Sequence, residues 1–430
     1  MKQYPFFRYL IALAISILLL GCTALAESGP TPVSFMVFGD PPEQEAFKSV
    51  VAAFAATHPD IQIELVGLPS QSDYLARLSA DFTAGTPPDV FLLNYRRLAQ
   101  LHNRGALEPL GPMLQSSQIL AEDQFFEVAL DAFRDSSGTV ICMPQNISSQ
   151  VVYYNKDIFD AAGLPYPDPN WTWQEFRQAA IALTQPDTDS DGEPDQYGLG
   201  LEPELIRMAP FIWQNGGELV DDPAQPTRLT LDTPAAKEAL QFVLNLAQVD
   251  RVVPNATAEI MLAQDLRFYE GNIAMYVNSR RIVPTMREVA KFAWDVAPLP
   301  LGKQTASVLH SDGYCLAQTS KVKEAAWTFI EFAMSEEGQT WATKLGRTVP
   351  SLKHLAESPV FLDPSQPPAN AQVWLDAVPH IRVLPRLENW VAIERAAGVE
   401  LERAYMEHTT VEAALDFIQD AGEAGLEPLQ

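Results

Sequence analysis

Val33-Ser34-Phe35-Met36-Val37-Phe38-Gly39-Asp40-Pro41-Pro42-Glu43 joins an apolar strand to the start of a helix, and the fold is read outward from it. The run Val33–Phe38 is short, aromatic and partly β-branched, which favours a buried strand. Gly39 ends it. Asp40 then stands as a helix cap, Pro41 takes the first helical position, and Glu43 takes the third, where its carboxylate reaches back to the cap. Phe47, Val50, Val51 and Phe54 follow at helical spacing. Ile61, Ile63 and Leu65 alternate as a second strand, Tyr74, Leu75, Leu78 and Phe82 mark a second helix, and Asp89 to Leu93 reads as a third strand. The order is βαβαβ, so the fold class is α/β with parallel strands and right-handed crossovers. Ligands bind where loops leave the carboxyl ends of such strands. The loops in question are Gly39-Asp40 and Asn94-Tyr95.

The same alternation continues downstream. Thr172 to Glu175 matches a capping box, Thr233-Pro234 opens a helix that runs through Ala235 to Leu246, and Ser320 to Met334 is amphipathic, with Ala326, Phe329, Ile330 and Ala333 on one face. Residues 358–370 are rich in proline and read as a loop. A chain of 430 residues exceeds what one core normally serves, so two lobes are expected.

At the N-terminus, Lys2 and Arg8 precede an apolar run from Leu10 to Leu20, then Gly21 and Cys22. This is the order of a secretory signal. The run is shorter than the roughly 20 helical residues needed to cross a hydrocarbon layer, so it is expected to be cut away. Leu19-Leu20-Gly21-Cys22 resembles the lipobox of bacterial lipoproteins, which implies acylation of Cys22 and anchoring to the membrane. Ordinary cleavage at Ala24-Leu25-Ala26 is the competing reading. Loss of residues 1–22 removes two basic and no acidic side chains and takes the formal charge from −26 to −28. Such a field repels phosphate backbones and excludes a nucleic-acid partner. With Cys22 acylated, Cys142 and Cys315 remain in an oxidising compartment. A disulfide and two buried thiols are both open there.

Several stretches then point to one family: Phe38-Gly39-Asp40, Thr86-Pro87-Pro88-Asp89-Val90, Tyr154-Asn155-Lys156-Asp157, Asn215-Gly216-Gly217, Gly271-Asn272-Ile273-Ala274-Met275, and Trp327 with Phe329 after Ser320-Lys321. In order and spacing, from about residue 33 to 420, the chain resembles family 1 of the extracellular solute-binding proteins, the group that includes maltose-binding protein. The resemblance implies a two-lobed periplasmic-binding-protein-like fold of type II, each lobe a mixed, mainly parallel sheet flanked by helices and joined by hinge strands. It places crossings near Asn146–Val151, Ala306–Ser311 and Thr348–Lys353. The expected organisation is therefore a lipoprotein signal at 1–22, a tether at 23–32, lobe 1 at 33–147 and 308–350, and lobe 2 at 148–307 and 351–430. Cys142 just before the first crossing and Cys315 just after the second would then lie on neighbouring hinge strands. The implied function is capture of a mono- or oligosaccharide by a monomeric, lipid-anchored, non-enzymatic subunit that delivers it to the permease of an ABC importer.

Site candidates follow from that frame. Polar contacts are expected from Asp40, Asn94, Tyr95, Ser148, Asn278, Ser279, Gly313 and Tyr314, with Phe38 beside them and Trp213 and Trp390 as stacking faces for a sugar ring. Asp40 suits a pure helix cap equally well. Trp171, Trp173, Trp327 and Trp341 are assigned to core packing. At Asn278-Ser279-Arg280-Arg281 many relatives carry Asn-Gly-Pro-Trp, and this departure argues against maltodextrin. Arg280, Arg281, Arg96 and Arg97 make a glycerol phosphate or acidic sugar the alternative cargo, with ordinary surface charge as their other reading. Asp187, Asp189, Asp191 and Asp195 with Gly192 match positions 1, 3, 5, 9 and 6 of a calcium loop, and Glu193 adds another carboxylate. Gly198 stands where the bidentate Glu belongs, so a structural Ca2+ would need a further ligand; a solvated acidic loop is the alternative. No catalytic cofactor is expected. A secreted glycoside hydrolase is the competing class, although H-E-x-x-H, G-x-S-x-G and P-loop motifs are all missing.

Overall fold

A computed structural model describes residues 29–426 except 189, 191, 192 and 224. The signal, the lipidation candidate Cys22 and most of the tether lie outside the described residues.

The opening stretch forms the centre of the first sheet. Strand β1 (Thr31–Phe38) begins two residues before the expected start of lobe 1 at 33, and helix α1 (Pro41–Thr57) follows with the full capping box of Asp40 and Glu43. β2 (Ile61–Leu68), α2 (Gln71–Ala84) and β3 (Val90–Asn94) complete the unit. β1 pairs parallel with β2, from Thr31↔Ile61 to Phe38↔Leu68, and parallel with β3. Both faces of β1 are covered: Val33, Phe35 and Val37 pack with Phe47, Val50 and Phe54 of α1, while Met36 and Phe38 join a second cluster with Tyr74 and Leu78. That is the environment in which a continuous apolar run is stable as a strand. Phe35 meets Phe47 edge-on at 6.0 Å and Phe329 at 5.0 Å between ring centres. Each such ring contributes about 1.5–3 kcal/mol by burial.

The chain leaves this lobe through β4 (Leu107–Glu108), β5 (Met143–Pro144) and β6 (Ser148–Ser149). A second sheet is built from β7 (Val151–Asn155), β8 (Tyr197–Gly200), β9 (Ile273–Asn278) and β10 (Trp294–Ala297) in the order β10-β7-β9-β8, with only β8 and β9 parallel. Helix α3 (Val283–Val289) precedes β10. β11 (Ser307–His310) then returns antiparallel to β6, and β12 (Asp312–Ala317) inserts antiparallel beside β3. The first sheet is therefore mixed, in the order β2-β1-β3-β12-β4, with β5 on β12. Helices α4 (Lys323–Met334) and α5 (Glu336–Lys344) cover it. The chain ends in the second lobe with β13 (Ile381–Arg382), which joins β11, helix α6 (Trp390–Tyr405) and helix α7 (Val411–Leu426).

Three observations refine the expected organisation. Leu352 and Leu355 belong to the core of the first lobe, so the last crossing comes after Leu355 rather than at 350. Trp341 is 40% exposed on α5 instead of packed in the core. Cys142 and Cys315 are joined in a disulfide inside the first lobe, both fully buried.

Candidate functional site

The two lobes face each other across a cavity of about 720 Å3, within the range of small-molecule sites. Its walls come from the carboxyl ends of β1 and β3, the loop after β8, the β6–β11 crossing, and α6. The first lobe supplies Phe38, Asn94, Arg96, Arg97, Asp312 and Arg347; the second supplies Glu202, Glu204, Arg207, Glu259, Gln264, Ser279, Arg281, Glu394, Arg395 and Glu402. Asn146, Ser148, His310 and Ser311 form the floor at the crossing.

Charge dominates the walls. Arg96 Nη1 reaches Glu394 Oε1 across the lobe boundary at 2.6 Å, and Arg96 Nε donates to Asn94 Oδ1 at 2.9 Å. Asn94 in turn donates to Asp312 at 3.1 Å. Burial disfavours the Arg96 charge, but the Glu394 carboxylate outweighs it and raises the pKa. Arg207 pairs with Glu202 at 2.9 Å, and the Tyr276 hydroxyl also donates to Glu202 at 3.1 Å. Burial, with the arginines 207, 96 and 281 nearby, pushes the His310 pKa well below its usual value, so that ring is neutral at physiological pH. Burial also raises Glu204 and Glu259 above the ordinary carboxyl range.

Several buried polar atoms on these walls have no hydrogen-bond partner among the described residues: Asn146 Oδ1, Glu259 Oε2, Arg207 Nη1 and Arg347 Nη2. Arg347 Nε lies 3.0 Å from Glu43 Oε1, but the contact is off the hydrogen-bond direction. Buried polar groups are normally satisfied. Their convergence on one cavity provides donors and acceptors for a polar solute.

Of the residues expected at the site, Phe38, Asn94, Ser148 and Ser279 line the cavity, as do Arg96, Arg97 and Arg281. The others are placed elsewhere. Asp40 caps α1, accepting from Glu43 N at 3.1 Å, and its second oxygen accepts from the Thr285 hydroxyl. Tyr95 is buried, with its hydroxyl donating to Leu309 O at 3.2 Å. Asn278 turns back to accept from Ser279 N at 2.8 Å. Gly313 sits inside β12, where a Cβ would stand 2.7 Å from the Phe133 ring. Tyr314 packs on Phe35 at 5.7 Å. Arg280 is 1% exposed, held between the Phe361 and Trp374 rings at 4.5 and 4.7 Å.

Neither expected stacking ring faces the cavity. Trp213 lies in a helix, Leu205–Gln214, that is buried on all sides, and Trp390 is fully buried at the start of α6. Leu205, Ile206, Val391, Val399 and Met406 supply apolar surface instead. Sequence reasoning missed Glu202 and Glu204, although they follow the carboxyl end of β8 and the strand-end rule applied to β1 and β3 reaches them. Arg347 and Glu394 carry no local signal.

In the acidic loop, Asp189 and Asp191 lie outside the described residues. Asp187 accepts from Ser190 N at 2.6 Å, Glu193 from Asn255 Nδ2 at 2.6 Å, and Asp195 from Thr188 N at 3.3 Å. Among the described residues no group of three or more His, Cys, Asp or Glu side chains is arranged to hold a metal ion.

Known proteins share this architecture. A binding protein of Brucella abortus strain 2308 is 24% identical over 370 residues, covering 84% of each chain. The sn-glycerol-3-phosphate-binding periplasmic protein of Shigella dysenteriae serotype 1 is 25% identical over 261 residues, 59% of this chain and 57% of that one. The ABC substrate-binding protein of Listeria monocytogenes in complex with cycloalternan superposes with a TM-score of 0.83 at 25% identity, over 92% of this chain and 98% of that one. The family described as bacterial extracellular solute-binding protein matches residues 39–340. With two lobes closed around a polar cavity and a family match over most of its length, this chain belongs to the bacterial extracellular solute-binding proteins.

Proposed function

We propose that this ABC-importer solute-binding protein captures a neutral, polyhydroxylated solute of the carbohydrate class, one or a few sugar units long. The observation that carries the reading is the wall of the cavity, where six guanidinium and six carboxylate groups balance. A sugar hydroxyl both donates and accepts, so it satisfies Asn146 Oδ1 and Glu259 Oε2 as readily as Arg207 Nη1 and Arg347 Nη2. Net-neutral walls give an ionic ligand no excess of opposite charge. Apart from Phe38 the apolar lining is aliphatic or thioether, which suits a small ring or polyol better than a long stacked chain. The Listeria protein's cycloalternan complex supports the carbohydrate class. Proteins of this family bind solutes without transforming them, which replaces the hydrolase alternative.

A second reading is favoured by one observation. Arg97 and Arg395 line the cavity without an ion pair among the described residues, and two such guanidinium groups suit a phosphorylated polyol or acidic sugar. The Shigella protein named for sn-glycerol-3-phosphate is consistent with it. The experiment is a titration of the purified protein with neutral sugars, polyols, acidic sugars and glycerol phosphates, followed by melting temperature and Trp fluorescence. Saturation by a neutral sugar supports the first reading, saturation only by anions supports the second, and no response to any member overturns both.

Extracytoplasmic placement follows from the family. We further propose that Cys22 carries the lipid anchor, that the protein works as a monomer handing its cargo to a permease, and that Asp187–Asp195 holds a structural Ca2+. A Cys22→Ala chain that still partitions wholly with membranes overturns the first, a dimer mass in light scattering the second, and a melting temperature indifferent to chelator the third.

A further inference from the structure

The start of α1 does more than cap a helix. Glu43 is buried to 2% exposure at the boundary between the lobes, with Oε2 accepting from Asp40 N at 3.2 Å and from Arg281 Nη1 at 3.2 Å, and Oε1 facing Arg347 at 3.0 Å. Arg347 belongs to the first lobe, but Arg281 belongs to the second and lines the cavity. Asp40, the other half of the capping box, accepts from the hydroxyl of Thr285 on α3, also in the second lobe. Both carboxylates of one helix cap thus bridge the lobes. Gly39 makes room for this arrangement: its φ is +143°, and a Cβ there would stand 2.6 Å from Glu43 Cβ and 2.9 Å from Oε2.

A capping box needs only its own backbone partners, and an exposed Glu would serve it. Burying the carboxylate costs free energy that its guanidinium partners must offset. Arg281 is half exposed in the cavity, so without Glu43 its long side chain has no fixed aim. We propose that Glu43 is a positioning residue that aims Arg281 into the cavity only when the lobes meet, and that the Asp40–Glu43 capping box acts as the closing latch of the protein. Closure and completion of the cavity wall are then one event. Arg96–Glu394 bridges the lobes separately, through β3's end and α6.

The test needs no ligand, so it stands apart from the carbohydrate reading. Spin labels on Glu64 and Lys291, exposed positions on the two lobes, report the lobe separation by double electron–electron resonance. Glu43→Gln keeps an acceptor for Asp40 N and removes the charge; Arg281→Gln removes the partner from the opposite lobe. Loss of one charge-assisted bond is expected to lower the closed-to-open ratio about tenfold in either variant. The double variant is expected to be no more open than either single one, because both remove the same contact. Circular dichroism and melting of Arg281→Gln separate opening from a failure of α1 to fold. Distance distributions that superimpose on the parent in both single variants, or effects that add in the double variant, overturn the proposal.

Discussion

Glu259→Gln should make the unliganded protein more stable at neutral pH while weakening its grip on solute. Glu259 Oε2 is buried on the cavity wall without a hydrogen-bond partner, and burial, with the nearby Glu202 and Asp265 carboxylates, raises its pKa above the ordinary 4.5. A raised carboxyl pKa means that the folded chain holds a proton the unfolded chain releases. The associated stability is fully present below the unfolded pKa and is lost as pH rises through the folded one. As pH rises the carboxylate has to ionise beside like charges, a cost that glutamine avoids. An unsatisfied buried acceptor costs about 1–3 kcal/mol; the lower end suits a residue that is only partly buried, and about 1 kcal/mol corresponds to roughly 1 °C in a chain of this size. The bound solute, in contrast, loses a charged acceptor, which should weaken Kd about tenfold. Scanning calorimetry between pH 3.5 and 8 and titration with the solute identified by the panel provide the two measurements. The stability gain should disappear below about pH 4, where the glutamate is protonated. A variant less stable than the parent at pH 7 with unchanged affinity would refute the reasoning.

Three further outcomes are expected. Gly313→Val should cost about 1–3 kcal/mol in a denaturant melt, because its side chain meets the Phe133 ring where β12 packs. Reducing the disulfide, or replacing Cys142 and Cys315 together by serine, should lower stability by about 2–5 kcal/mol, the upper end being the loop-closure figure for a separation of 173 residues. Trp213→Phe should lower stability by about 1–2 kcal/mol and change solute affinity less than threefold, because the ring is 2% exposed and away from the cavity; a large loss of affinity at unchanged stability would restore it as a stacking face.

The first lobe was legible where the signal is local. Val33–Phe38, the Asp40–Glu43 box and the alternation at Ile61–Leu65 each carry their own periodicity or capping chemistry, and each stands within a few residues of where it was read. β12 was not legible as a strand beside β3, because pairing over such a distance leaves no mark in either segment. Gly313 and Tyr314, expected as polar contacts to the solute, are instead ladder residues paired with Leu93 and Leu92. The site was legible at Phe38, Asn94, Ser148 and Ser279, which sit at strand ends or at the crossing. Trp213 and Trp390, expected as stacking faces, are buried away from the cavity; aromatic character alone does not separate a ligand face from a core ring, because a large ring serves both. Arg347 and Glu394 enter the cavity through the return of the chain between lobes, which only the tertiary fold reveals.

The return of β12 also fixes the order in which the molecule can assemble. Asn94 and its partner Asp312 lie 218 positions apart, and α4 and α5, which cover the first sheet, come later still. A chain emerging from the export channel N-terminus first therefore presents β1 to β3 long before the segments that bury them. The second sheet, contained within residues 151–297, has all its strands available earlier. The strands of lobe 2 can therefore pair before those of lobe 1, although its covering helix α6 is the later to arrive, and Cys142 waits as a free thiol until Cys315 appears. Non-local pairing of this kind folds slowly and leaves the apolar strands β1 to β3 uncovered in the interval.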